Sequence, residues 1–593
     1  MVRLAGVWRF WRRGLRHLSL RENTLFLLLA VVIGLFSGLA VVCFRITMEW
    51  TRLWLLGPAL YPALPRVVLA PLLGGLVVAF LVMWVFPRVR GSGVNQTKEA
   101  VYIYNGYIPF STVIGKFLTC SLAIGSGQSL GPEDPSLQIG AGLASALGRR
   151  MQLSRQKVRL IAPVGAAAGL AAAFNSPISA VLFVIEEVIG NWSAGVLGAI
   201  VLAAVSSVVV MRWFLGSDAL FRIPAYRLVH PVELAAYAAL GVVGAIASLA
   251  LVKIVSYLRP KLKALPRRTQ YMQPAAAGLV IGLIGIWLPQ VMGAGYGTID
   301  RAMHGRFTWQ MLALLAACKI VTTTLSFVSG TPGGMFAPTL FVGAMLGGAV
   351  GGVERHFFPA LTGSVGAYAL VGMGTLFAGF LRVPMTSVFM VLEISGDYSI
   401  ILPVIISNTV AYLISRKCQR TPLFDLLARQ DGVDLPSMEE EREESSLRVE
   451  DAMRPIPSLV LRGEETFADA FRRVEAEPEQ YFIVNQGIRG WSLVTREQLR
   501  WQASKEEGDS RLESLPESTR LPWLHPDQPL DDALCRVGDW PALPVVSRAD
   551  FQKLEGIVSL SDILSAFGVI SGKAGARVAR LGSLSEEKGR AVG

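Results

Sequence analysis

The feature that most constrains this chain is a series of apolar segments between residues 24 and 415. They fall at 24–43, 66–86, 111–124, 160–187, 194–214, 233–256, 273–293, 310–328, 335–352, 365–380, 384–394 and 400–415. Hydrocarbon offers backbone N–H and C=O groups no partner, so such segments must satisfy their hydrogen bonds internally. Many are short or interrupted by Gly and Pro, so broken helices are expected. Of 593 residues, 52% are hydrophobic and 17% charged, against about 25% charged in a soluble chain. A polytopic protein in a lipid bilayer, with a soluble appendage, is the class these numbers allow. The net charge of +12 sits mainly in short clusters beside apolar segments. That pattern orients membrane helices and argues against a nucleic-acid partner.

The chain divides by composition. Residues 1–22 are basic and lack a short apolar core followed by a cleavage site, so they read as a cytoplasmic N-terminus and not a signal peptide. Residues 23–430 form the membrane domain. A charged linker, 431–448, contains "SMEEEREESS"; residues 449–572 alternate short apolar strands with amphipathic helices; 573–593 is a polar tail. The five cysteines are scattered, with neither metal-ligand nor disulfide spacing. No metal site and no enzyme constellation is expected.

The membrane domain repeats itself, with halves at about 23–215 and 231–415. Residues 116–148 align without a gap on 319–351, sharing Lys116/Lys319, Gly131/Gly334, Pro135/Pro338 and Gly140/Gly343. Residues 164–187 align on 371–394, sharing Pro177/Pro384 and Glu186/Glu393. The loop after the first block, 149–159, carries five Lys or Arg, whereas its counterpart 352–362 carries one Arg and one Glu. Basic loops stay in the cytoplasm, so the halves are expected to be inverted. Inverted-repeat transporters bind their substrate at mid-membrane, where broken helices from both halves meet.

Each copy places a Gly/Pro-rich break before a new helix, at "GPEDP" (131–135) and "GMFAP" (334–338). Amides and the positive dipole end of such a helix attract an anion. A third break, 89–100, supplies the Ser92 hydroxyl. Neutral donors without an acidic cage point to a partly dehydrated anion. A carboxylate at such a site, Glu133, competes with the anion until it is protonated. Asp134 reads as a cap on its own helix. Glu186 has a twin in Glu393 and reads as structural, as do Lys116 and Lys319. Glu187 has no twin, because Ile394 stands there, and an unmatched carboxylate suits a directional task such as proton entry.

These motifs resemble those of the CLC family of chloride channels and proton-coupled chloride transporters. The family's G-S-G-x-P, G-[KR]-E-G-P and G-x-F-x-P motifs are met here by Gly91-Ser92-Gly93-Val94-Asn95, Gly131-Pro132-Glu133-Asp134-Pro135 and Gly334-Met335-Phe336-Ala337-Pro338. A second Gly-Ser-Gly at 125–127 is set aside, because 91–93 precedes the first broken helix as in the family. The resemblance implies Ser92 and Gly93, the amides of Met335 and Phe336, and the position of Phe424 as the anion site. It also implies Glu133 as gate, Glu187 as internal proton carrier, and a homodimer with one pathway per subunit. Asn95, Pro132 and Asp134 depart from the motifs, and Phe424 stands where the family has a tyrosine, which costs the anion a hydroxyl donor.

The soluble region is similar to the paired CBS domains of many CLC proteins. In such domains a hydroxyl and a carboxylate three positions later, at a helix start, hold the phosphate and ribose of an adenine nucleotide. Ser559 and Asp562 fit; Thr495 is followed by Gln498 instead. The fold class expected is therefore a polytopic all-α membrane domain with inverted internal repeats and broken helices, plus a cytoplasmic α/β CBS-pair domain. No cofactor is required; the pair either holds an adenine nucleotide or is purely structural. The expected function is proton-coupled chloride antiport; the alternative is a passive voltage- or pH-gated chloride channel of the same family.

Overall fold

The computed structural model describes residues 22–58, 63–151, 155–190, 194–216, 221, 229–360, 362–433, 435, 447–457, 459–504, 509–516, 519–538, 540–548 and 550–567. The basic N-terminus, most of the charged linker and the polar tail expected from the sequence lie outside the described residues. The chain separates into two compact units, divided between residues 438 and 439.

Eight helices among the described residues of the first unit are long and apolar enough to cross a membrane. Its first half carries α1 (Glu22–Leu55), α2 (Leu64–Phe80), α3 (Gly93–Tyr102), α4 (Phe110–Gly125), α5 (Glu133–Gly148), α6 (Arg155–Phe174), α7 (Pro177–Phe183) and α8 (Ala194–Leu215). The second half repeats the order with α9 (Glu233–Lys263), α10 (Gln273–Trp287), α11 (Tyr296–Met303), α12 (Trp309–Val328), α13 (Phe336–Phe357), α14 (Val365–Leu381), α15 (Pro384–Ser395) and α16 (Ile401–Cys418). A last helix, α17 (Leu423–Gln430), carries Phe424. Helices α3, α11 and α17 are short and polar enough to escape a hydropathy reading, so the sequence did not announce them.

The apolar run 160–187 is two helices, not one. Asn175 breaks it in the left-handed conformation, with φ of 57°, and Arg382 does the same at the matching place, with φ of 63°. A proline two residues on, Pro177 or Pro384, then starts the next helix, where its missing N–H costs nothing. Ser92, Thr308 and Ser364 cap α3, α12 and α14 by accepting a backbone N–H.

The halves pack alike: α5 lies on α6 as α13 lies on α14, and α1 on α8 as α9 on α16. Backbone comes very close at these contacts. A Cβ at Gly140 would stand 2.1 Å from the Gly165 carbonyl oxygen, and one at Gly343 2.3 Å from that of Gly372. Glycine is therefore obligatory where helices pack through small residues. Two reciprocal contacts tie the halves around a local two-fold. Gly131 and Gly334 exchange both backbone hydrogen bonds, at 2.7 and 2.9 Å. Glu186 accepts the amides of Met385 (3.3 Å) and Thr386 (2.8 Å) at the start of α15. Glu393 in turn accepts those of Ile178 (2.9 Å) and Ser179 (2.8 Å) at the start of α7. The structural role read for the matched glutamates is thus a mutual helix cap. The matched lysines are equally symmetric: buried Lys116 donates to the carbonyls of Val89 and Gly91, and Lys319 to those of Val291 and Gly293.

The second unit is α/β. Strands β1 (Leu461–Arg462), β2 (Tyr481–Asn485), β3 (Trp491–Thr495) and β4 (Arg520–Leu521) form one sheet in that order, parallel at β1–β2 and antiparallel after it; β5 (Leu543–Val546) and β6 (Leu554–Val558) pair antiparallel. Helices Phe467–Val474, Arg496–Ala503, Leu530–Val537 and Leu560–Ala566 complete two strand–helix–strand–strand–helix halves. The halves are exchanged: β4 of the second extends the sheet of the first, and Arg454 bridges to Ile557 on β6. One core runs through both, from Val449, Ile483 and Trp491 to Leu543, Val558 and Ile563.

Candidate functional site

The paired loops at Gly131 and Gly334 bring the starts of α5 and α13 side by side, and the start of α3 joins them. Glu133, the first residue of α5, is fully buried. Its Oε2 accepts the amide of Ala337 on the first turn of α13 at 3.3 Å, and its Oε1 accepts the hydroxyl of Tyr296, the first residue of α11. Arg45 on α1 is a cation whose field reaches it. Glu133 is thus a carboxylate seated on an amide at the start of α13, a place that favours anions.

Asp134 does something other than cap its own helix. Its Oδ1 accepts the amide of Val94 at 2.9 Å and its Oδ2 accepts the hydroxyl of Ser92 at 3.0 Å, both at the start of α3. The contact is close enough that a Cβ at Gly93 would lie 2.6 Å from Asp134 Oδ1. The expectation of a local cap is corrected: the side chain crosses to α3, because the opposed helix starts leave a buried hydroxyl and amide within its reach.

Phe336 begins α13, and its ring stands amid those of Phe174, Phe183, Phe377 and Phe424, with the Phe424 centroid 6.3 Å away. Met335 is the residue before that helix. The amides of Met335 and Phe336 have no hydrogen-bond partner among the described residues. Asn95, which departs from the motif, ties α3 to α17 by donating its Nδ2 to the Phe424 carbonyl at 2.9 Å. The predicted anion residues Ser92, Gly93, Met335, Phe336 and Phe424 are therefore brought together around three helix starts.

Glu187 is joined through a lysine to two of the helices that carry them. It sits in a π-helical turn, Val184–Ile189, that continues α7 to its end, and is 4% exposed. Such turns insert one extra residue and re-aim side chains, frequently at functional sites. Buried Lys98 on α3 donates to Glu187 Oε1 at 3.0 Å and to Asp425 Oδ1 on α17 at 2.9 Å. Sequence reasoning missed Lys98, Asp425 and Tyr296. The signal was there for the first two: a lysine inside a half-apolar helix and an aspartate directly after Phe424, both in a membrane segment, where charge demands a partner.

A cavity of about 620 Å³ opens onto Ser92 and Asn95 and carries Arg88, Arg90, Arg259 and Lys263 in its wall. Basic walls around a concave route raise the local concentration of anions. Asp431, just beyond α17, is held by Arg259 at 2.8 Å and Lys263 at 3.0 Å. Burial opposes ionisation of its carboxyl, but the hydrogen bonds and charges of those two cations outweigh it and hold it below the usual carboxylate range. Among the described residues, no group of His, Cys, Asp and Glu is arranged to hold a metal ion.

In the second unit Ser559 and Thr495 each cap the helix that follows, in reciprocal capping boxes with Asp562 and Gln498. Asp562 also pairs with Arg454 at 2.7 Å, and Arg454 donates to Ser559 at 3.0 Å. These residues hold the helix starts, and Ser559, Asp562 and Arg454 form one polar cluster.

Residues 74–416 match a family model described as voltage gated chloride channel, and 514–569 match one described as CBS domain. A ClcB-like protein of Ralstonia nicotianae is 31% identical over 398 residues, covering 65% of this chain and 92% of the relative. Proteins named H(+)/Cl(-) exchange transporter ClcA are 30% identical over 414 residues in Vibrio campbellii, and 31% over 454 residues in Salmonella arizonae. They are matched over 68% and 71% of this chain and 88% and 93% of their own length. A slow cyanobacterial Cl-/H+ antiporter has the same fold, with a TM-score of 0.64 at 22% identity over 70% of this chain and 99% of its own. A eukaryotic CLC transporter superposes with a TM-score of 0.59 at 18% identity, over 91% and 97%. With its duplicated helices, its reciprocal loops and its match to the family model over more than half its length, this chain belongs to the CLC family of chloride channels and transporters.

Proposed function

We propose that the protein exchanges chloride for protons across a membrane. The observation that carries this reading is Glu133, an ionisable group seated on the Ala337 amide at the start of α13. A carboxylate and a chloride ion are interchangeable ligands of such amides. Protonation removes the charge that holds Glu133 there, so proton binding and anion entry become linked. Relatives matched over 88% and 93% of their own length that carry the name H(+)/Cl(-) exchange transporter support the same reading. Ser92, Gly93, Met335, Phe336 and the Phe424 position form the anion path. Glu187 carries protons between that centre and the cytoplasm.

The domain limits follow the sequence reading, with the repeats inverted in the bilayer, both termini cytoplasmic, and a CBS pair at 449–572 that modulates transport. The basic loop 149–159 supports that orientation. The protein is a homodimer with one pathway per subunit. Ser559 and Asp562, with Thr495 in the other half, take the phosphate and ribose of an adenine nucleotide, which displaces Arg454 from Asp562. Asp562→Ala should abolish ATP or AMP binding in a titration of the full chain; unchanged affinity would move that site elsewhere.

The deciding measurement is the reversal potential of the reconstituted protein under combined pH and chloride gradients. A pH gradient should drive uphill chloride movement. Glu187→Gln should keep chloride flux and lose proton pumping, and Glu133→Gln should lose coupling. A native reversal potential that follows chloride alone would make the protein a passive channel.

A further inference from the structure

The adjacent carboxylates of "PEDP" do not share one task. They leave the same turn of α5 and end on the starts of two different helices, Glu133 on α13 and Asp134 on α3. Asp134 takes the Ser92 hydroxyl, the donor expected to hold the anion at the serine, together with the Val94 amide beside it. It is 2% exposed, so no water shell competes for it. The basic-walled cavity reaches Ser92, which means an anion arriving by that route finds the donors already engaged. The neighbouring charges are Lys116 on α4, the Cys120 thiol on the same helix, and Glu133. Lys116 is committed to two backbone carbonyls, so it does not draw Asp134 away from α3.

We propose that Asp134 is a tethered occupant of the anion site at Ser92: a built-in competitor that chloride must displace before it moves on to the site that Glu133 guards. The proposal rests on the chloride reading and adds a second carboxylate plug in series with the first. Its consequence is a weakened apparent affinity for chloride, set by a residue that neither moves protons nor lies at the Glu133 gate. Gly93 belongs to the same device, because any side chain there would push the Asp134 carboxylate off α3.

The test is halide binding to the purified full chain, by calorimetric titration with sodium chloride and by locating bromide from its anomalous scattering. Asp134→Ala should bind chloride at least about tenfold more tightly than the native protein, the factor that corresponds to one hydrogen bond to a charged group. Bromide should then appear beside Ser92, and adding Ser92→Ala should cancel the gain. Asp134→Gly serves the same purpose if the alanine variant folds poorly. Glu133→Ala alone should leave the Ser92 site closed. Bromide beside Ser92 in the native protein, or unchanged chloride affinity in the Asp134 variants, would overturn the proposal while chloride flux in vesicles still upheld the transport reading. Loss of both halide binding and chloride flux in well-folded protein would overturn the two together.

Discussion

Replacing Lys98 by methionine removes a fully buried ammonium and leaves Glu187 and Asp425, 4% and 3% exposed, without the cation between them. At an effective dielectric of about 20, unit charges 3 Å apart attract by roughly 5–6 kcal/mol. Desolvation of the three groups offsets much of that in the intact triad. Deleting one partner has no such offset, because the surviving charges stay buried, and such deletions cost about 3–5 kcal/mol. Lys98→Met should therefore unfold at a clearly lower temperature in detergent. The double variant Lys98→Met, Asp425→Asn should recover part of the loss, since one stranded carboxylate is gone. A coupling energy of about 0.5–3 kcal/mol between the two sites is the range expected for residues in contact. The assay is thermal unfolding of the four proteins of this cycle, followed by intrinsic fluorescence. A Lys98→Met variant within about 1 kcal/mol of the native protein, or strict additivity in the cycle, would refute a charged triad joining α3, α17 and the π-helical turn.

Glu186→Ala should destabilise more than Glu393→Ala, by about 2–3 against 1–2 kcal/mol, because Glu186 and its partner Thr386 are the more deeply buried pair; equal effects in thermal unfolding would count against the caps. The folded-state pKa of Asp431 is depressed, so its ion pairs add stability at neutral pH that is lost as pH falls through that value. Asp431 is a third exposed, so the pH-dependent part should be under about 1 kcal/mol, and Asp431→Asn should remove it from the acid limb of a stability-against-pH curve. Trp491→Ala should cost the second unit about 3–5 kcal/mol, read as a separate low-temperature unfolding step in the full chain, since Trp491 is 2% exposed and donates to the Phe551 carbonyl at 2.8 Å. A chain ended near residue 432 should keep ion flux, since Phe424 and α17 remain; loss of flux from a well-folded dimeric truncation would place the soluble unit within the pathway.

Much of the molecule was written in local sequence. Apolar runs as long as a bilayer is thick gave the spanning helices, and lipid leaves them no other way to satisfy their backbone. The duplication was legible because matched Gly, Pro, Lys and Glu serve identical backbone needs in both halves: close approach at Gly140 and Gly343, caps at Glu186 and Glu393, carbonyl clamps at Lys116 and Lys319. The helix starts at Glu133 and Phe336 were visible in "GPEDP" and "GMFAP". Helices α3, α11 and α17 were not, because a polar stretch of eight to ten residues becomes a stable helix only through the packing around it.

Only the tertiary structure decided which charge meets which. Asp134 lies one residue from Glu133, yet it serves a helix start 42 positions earlier in the chain; Lys98 joins Glu187, 89 positions away, to Asp425, 327 positions away. Sequence spacing carries no trace of such pairs, since they depend on helices that cross after folding. Burial then sets their weight: where water is excluded, each carboxylate must find a donor or a cation, and the fold alone determines which one is within reach.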